Sequence, residues 1–184
     1  TYTYTVAAFD DAGNVSAQSG AASATTLPTG LVAAYGFNAG SGTTLTDSSG
    51  NNHTGAISGA AWTTSGRYGA ALSFDGVNDW VTVNDSNLLD LTTGMTLEAW
   101  VYPTATLTNW RTVIAKEGAS PVIAYYLYAS SQPDNRPANG VTIGGTEYAL
   151  RAGSAPAVNT WTHLTATYDG TMQRLYVNGV EVAS

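Results

Sequence analysis

The sequence predicts an all-β chain arranged as an antiparallel sandwich, and three observations carry that expectation. Strand-length runs with period-two alternation recur along its 184 residues, Asp, Asn and Gly turns punctuate them, and no helix-period segment of useful length intervenes. The clearest run is residues 95–103. Met95, Leu97, Ala99 and Val101 take one face, Thr96, Glu98, Trp100 and Tyr102 the other, and Pro103 ends the strand.

Composition narrows the function before any motif does. Only 10% of residues are charged, well below the roughly 25% of ordinary soluble domains, and Thr, Ser, Gly, Ala and Asn take their place. A net charge of −7 with six scattered basic residues argues against nucleic acid, whose phosphates must be neutralised. No run of about eighteen apolar residues is present, so no membrane-inserted helix is expected. Without cysteine there is neither a disulfide framework nor a thiolate metal site.

In order along the chain, residues 1–27 alternate Tyr2, Tyr4, Val6 and Ala8 with Thr and Ala. A turn at Asp10-Asp11-Ala12-Gly13-Asn14 and a weaker strand from Val15 to Thr26 follow. This stretch resembles the last two strands of a bacterial fibronectin type III domain. Residues 28–30, Pro28-Thr29-Gly30, read as a linker, because proline removes a backbone donor and glycine permits a turn. Leu31 to Phe37 is expected as a strand, and Asn38 to Ala60 as a long polar loop with nearly no apolar anchor before Ile57.

Residues 66–83 then read as strand, tight turn, strand. Ala70, Leu72 and Phe74 alternate on one side of Asp75-Gly76 and Asn78-Asp79, and Val81 and Val83 alternate on the other. Its pattern of Gly66, Gly69, Ala71, Leu72, Phe74, Asp75, Gly76, Asp79 and Val81 resembles the laminin-G-like jelly-roll module, a concanavalin A-like lectin/glucanase sandwich. The resemblance covers residues 31–184 and implies a truncated copy, cut before its last strands. Leu97, Ala99 and Val101 are expected in the inter-sheet core with Leu72, Phe74 and Leu164.

Later elements include strands at Arg111 to Lys116 and Tyr125 to Ser130, then an exposed loop from Ser131 to Gly140. A hairpin turns at Gly144-Gly145, and a strand from Trp161 to Tyr168 ends at Asp169-Gly170. Gln173 to Val177 pairs with the residues after Asn178-Gly179, the strongest short hairpin signal in the chain.

Candidate chemistry is sparse. Retaining glycosidases place two carboxylates about 5–5.5 Å apart, and Glu98 is the one carboxylate inside a clear strand, so a hydrolase site is not expected. His163 shares a face with Trp161 and Thr165 and would approach Glu98 if their strands are neighbours; His53 is expected to face solvent. Sugar rings stack on exposed aromatic faces while Arg and Asn bond hydroxyls, which makes Trp110, Arg111, Tyr126, Tyr128 and Tyr148 the ligand candidates. Trp80, Trp100 and Trp161 are expected to be core or structural residues. The resemblance further implies a structural Ca2+, for which Asp47, Asn52 and Asp75 could supply oxygens; the same residues would equally serve as turn formers.

Taken with the resemblance, the expected function is a non-catalytic carbohydrate- or glycan-binding module of a secreted or cell-surface multidomain bacterial protein. The alternatives are an adhesive module with protein partners and an accessory domain of a glycoside hydrolase. The expected location is extracellular or at the cell surface.

Overall fold

A computed structural model describes residues 2–4, 7, 15–20, 22–24, 30–118 and 122–184. Fifteen strands are described. Two short ones, β1 (Tyr2–Tyr4) and β2 (Ala22–Ala24), pair antiparallel, Thr3 opposite Ser23. The Asp10–Asn14 turn and Pro28 of the expected linker lie outside the described residues. There follow β3 (Thr44–Leu45), β4 (Gly55–Ser58), β5 (Ala61–Gly66), β6 (Gly69–Ser73), β7 (Trp80–Val83) and β8 (Met95–Val101). Then come β9 (Arg111–Glu117), β10 (Ile123–Ser131), β11 (Arg136–Ile143), β12 (Thr146–Arg151), β13 (Thr162–Tyr168), β14 (Gln173–Val177) and β15 (Val180–Ala183).

Two four-stranded antiparallel sheets, ordered β12-β11-β10-β9 and β15-β14-β13-β8, form the sandwich. Their inner faces follow from period-two alternation. Leu97 on β8, Leu164 and Ala166 on β13 and Leu175 on β14 meet Tyr125, Leu127, Ala129 and Val141 of the other sheet in one buried cluster. Leu127, Leu164 and Leu175 have no exposed surface; side chains of this size contribute about 1.5–3 kcal/mol each on full burial. Glu98 and Trp100 point to the opposite face, so the expected parity of β8 holds.

The hairpin at Asn178-Gly179 is as predicted, both residues having the positive φ (53° and 78°) that a two-residue turn of this hand requires. Asn178 also ties its strand to β13, accepting from His163 N through Oδ1 at 2.9 Å.

Several expectations fail, each for a long-range reason. The strands flanking Asp75–Asp79 do not pair: β6 pairs with β5, while β7 joins β4 and β3 in a three-stranded sheet. Phe74 is accordingly half exposed and, like Leu72, stands outside the central cluster. The Asn38–Ala60 segment is not structureless, since β3 and β4 form within it and Leu45 is buried as its anchor. Leu31–Phe37 forms no ladder and makes one isolated bridge, Tyr35 opposite Asp47. The loop after Ser131 is shorter than expected, because β11 starts at Arg136 and buries Pro137, Ala138 and Asn139.

Candidate functional site

The outer face of the β12-β11-β10-β9 sheet is built from β10. With Tyr125, Leu127 and Ala129 turned to the core, Tyr126 and Tyr128 must face outward. Their cross-strand neighbours are small: Tyr126 lies opposite Gly140 and Ala115, and Tyr128 opposite Ala138 and Thr112. The rings therefore lie down on the sheet instead of standing off it. A Cβ on Gly140 would come within 2.5 Å of the Tyr126 ring, so no larger residue fits beneath it.

The two tyrosines stack with centroids 4.2 Å apart and planes inclined by 21°. Tyr126 Oη reaches across β11 and donates to Glu147 Oε1 on β12 at 2.5 Å. Burial first, then that bond and the Glu147 charge, raise the Tyr126 hydroxyl well above its ordinary pKa, so it stays a donor at physiological pH. Burial raises Tyr128 likewise.

On this floor stands Trp110. Its indole meets Tyr128 edge-on, centroids 5.3 Å apart at 67°, and it is 50% exposed where Tyr126 and Tyr128 are 5% and 6%. Its placement comes from Asn109, held at φ 59° by three bonds. Asn109 N donates to Asn135 Oδ1 at 2.9 Å, Gln132 Nε2 donates to Asn109 Oδ1 at 2.6 Å, and Ser130 Oγ donates to Asn109 O at 2.7 Å. Sequence reasoning passed over Gln132 and Asn135 because only the fold brings that loop to Trp110.

Of the five expected ligand residues, the structure joins Trp110, Tyr126 and Tyr128, lays the Arg111 guanidinium beside Gly76 in the Asp75–Asp79 turn, and separates Tyr148. Arg111 Nη1 donates to Trp110 O at 3.4 Å. Tyr126 and Tyr128 form a covered floor rather than open platforms. Tyr148 lies opposite Val141 and so projects from the core side of β12, at its margin. The residue that does share the tyrosine face is Arg151, opposite Ala138 in the row of Tyr128.

The expected calcium residues do not fit an ion site. Asp47 has no exposed side-chain surface, and four donors occupy its oxygens. Ala34 N and Ser49 N donate to Oδ1 at 2.9 Å each; Ser49 Oγ and His53 N donate to Oδ2 at 2.7 and 2.9 Å. Burial alone would raise its pKa, but these bonds outweigh it and hold the carboxyl at about 2. Calcium needs lone pairs, and here hydrogens point at them. Asp75 caps its own turn by accepting from Val77 N at 2.7 Å, and Asn52, at φ 61°, lines a separate polar cleft with Thr54 and Asn84. Among the described residues no group of three His, Asp or Glu side chains converges.

His53 is buried rather than solvent-facing, with Nδ1 3.2 Å from Val32 O. His163 does approach Glu98, at 3.7 Å, because β13 and β8 are neighbours. Trp100 stacks on His163 at the exposed outer face of that sheet, and Trp80 is more than half exposed, so neither is a core residue.

Comparison with known proteins gives three findings. Residues 75–184 match the family model described as the concanavalin A-like lectin/glucanases superfamily. No curated protein matches the chain. Among solved structures, domain 4 of AbnA resembles it with a TM-score of 0.60 at 22% identity, over 76% of this chain and 68% of that one. AbnA is an extracellular arabinanase of Geobacillus stearothermophilus, and that structure contains arabinotriose. An S-layer domain-containing protein of Clostridium thermocellum resembles it with a TM-score of 0.54 at 24% identity, over 82% and 70% of the two chains. At these identities the likeness establishes the fold.

Proposed function

Since the chain belongs to the concanavalin A-like lectin/glucanase superfamily, we propose that it is a non-catalytic carbohydrate-binding module working outside the cell. The observation that carries this reading is Trp110, a half-exposed indole supported edge-on by a buried tyrosine stack. An indole face in water, fixed from beneath, offers a sugar ring an apolar surface without the entropy cost of ordering a mobile side chain. Gln132 and Asn135, bonded to Asn109, add polar groups beside it. The arabinotriose in the similar arabinanase domain supports the same reading, as does that enzyme's extracellular location.

Among the described residues, no pair of carboxylates on this face is arranged for glycoside cleavage. Its carboxylate, Glu147, accepts from Tyr126, and the positions sharing its strand face, Ala149 and Arg151, carry no second acid. A second reading, a protein-binding adhesive module, draws on the opposite sheet. There Arg67 lies 4.8 Å over the Trp100 ring and Tyr68 meets it edge-on, an exposed aromatic patch distinct from the Trp110 face.

The test is affinity electrophoresis against soluble arabinan, xylan, glucan and polygalacturonate, with periodate-treated polymers as controls. The proposal expects retardation by at least one intact polymer and its loss in Trp110→Ala. Undiminished binding by Trp110→Ala, or no retardation in any gel, would overturn it.

A further inference from the structure

We infer that the open edge of β12 is an interface between two copies of this chain, which pair antiparallel about a two-fold axis at Ala149. β12 ends its sheet, and among the described residues no strand pairs with its outer side. All six of its residues are exposed except Leu150, and Tyr148 keeps 52% of its surface in water. The hairpin decides which backbone groups face outward. Ile143 lies opposite Thr146 across Gly144-Gly145, both glycines at positive φ (57° and 81°), so this closing pair is hydrogen-bonded and the pairing alternates from it. Thr146, Tyr148 and Leu150 therefore bond to β11, and Ala152 N, donating to Pro137 O at 2.8 Å, continues the alternation. Glu147, Ala149 and Arg151 turn their N–H and C=O groups to the open edge.

Such an edge accepts another strand, and its side chains specify which one. In antiparallel self-pairing centred on Ala149, positions 147 and 151 of one copy meet positions 151 and 147 of the other. The outward residues then form three hydrogen-bonded pairs of two bonds each, about six backbone bonds in all. Within one chain Glu147 and Arg151 stand four residues apart on one strand, about 13 Å. Across the interface each comes opposite the other's counterpart, with Cα atoms about 5.5 Å apart, so two ion pairs form. Glu147 Oε1 accepts from Tyr126, which leaves Oε2 for the second copy's guanidinium. On the other face the exposed Tyr148 ring meets the second copy's Leu150. A register slipped by two residues loses both ion pairs, and an in-register parallel arrangement sets like charges side by side. The axis runs perpendicular to the sheet, so both Trp110 faces look the same way, with the two β9 strands about 34 Å apart across seven strand spacings. Resting on the carbohydrate reading above, the consequence is bivalent attachment to one polysaccharide.

The experiment is sedimentation velocity across about 1 μM to 1 mM protein, where the expected result is reversible doubling of the mass. Arg151→Glu and Glu147→Arg each set like charges opposite one another and should weaken the dimer at least tenfold. An equal mixture of those two variants should regain it, because every 147–151 contact between unlike chains again joins opposite charges. Ala149→Pro removes the central donors from an edge where proline is tolerated, and should be monomeric with unchanged urea unfolding. It should also keep its affinity for an oligosaccharide and lose at least tenfold for the long polymer. A protein still monomeric at the highest concentration would overturn the inference while leaving the carbohydrate reading intact. So would a dimer that either Ala149→Pro or Arg151→Glu leaves as tight, or a mixture that stays monomeric although both its variants fold. Where Ala149→Pro or Glu147→Arg does not fold, Arg151→Glu decides alone. A dimer that binds no sugar would remove the carbohydrate reading and leave the interface standing.

Discussion

Replacing Asp47 by alanine removes the group that orders the 47–53 loop, and its cost follows from the bonds lost. Ala34 N, Ser49 N, Ser49 Oγ and His53 N would lose a charged acceptor at 2.7–2.9 Å, and Tyr35 Oη, which donates to His53 O, would lose its fixed partner. Buried donors left unpaired cost about 1–3 kcal/mol each, but water entering the vacated space recovers much of that. We expect a net loss of about 3–4 kcal/mol, a large share of the roughly 5–15 kcal/mol of a typical domain. Asp47→Asn keeps one carbonyl acceptor and should lose about half as much. The carboxyl's folded pKa of about 2 lies below its ordinary value of 3.8. Its stabilisation is therefore complete above the unfolded pKa and is lost as pH falls from about 4 towards 2. Urea unfolding of the three proteins at pH 7 and pH 3 measures both effects, with calcium and chelator arms at pH 7. An Asp47→Ala loss below about 1 kcal/mol, or an unfolding midpoint that moves with calcium, would refute the saturated-carboxylate argument.

Other expectations test the site and the core. Gly140→Ala places a Cβ within 2.5 Å of the Tyr126 ring, and should cost about 1–3 kcal/mol in urea unfolding and lower glycan affinity by tilting the tyrosine stack. Leu164→Ala should cost about 3–5 kcal/mol because its site is fully enclosed, whereas Phe74→Ala should cost far less, since that ring is half exposed. Tyr126→Phe should cost about 0.5–1.5 kcal/mol, the net worth of its bond to Glu147, whose exposed carboxylate takes up water instead, while preserving the stack and hence most of the glycan affinity.

The readable parts of this chain were those decided locally. β8 and β13 could be given their faces by alternation, and β14 and β15 their pairing by the Asn178-Gly179 turn, whereas the β8–β13 partnership waited on the fold. The β6–β7 hairpin failed because Asp75–Asp79 has the same turn chemistry whether its flanking strands pair or diverge into two sheets. Leu45 was missed as an anchor because a two-residue strand has no period to detect. At the site, Trp110, Tyr126 and Tyr128 stood out as aromatic candidates, and the structure brings those three together. The conversion of the two tyrosines to a buried floor depends on Ala138 and Gly140 of the next strand, which spacing along β10 does not reveal. Tyr148 falls away from the site because its pairing with Val141 turns it to the core side of β12, a face that only the register decides.

The central claim, that sugar binds on the Trp110 indole, is tested most directly by following the indole N–H resonances of the five tryptophans during titration with a retained oligosaccharide. Trp110→Phe assigns one signal by its absence. The account predicts a saturable shift of the Trp110 resonance, with those of Trp62, Trp80, Trp100 and Trp161 nearly still. A titration that saturates while Trp110 stays fixed, or that shifts Trp100 instead, would contradict it.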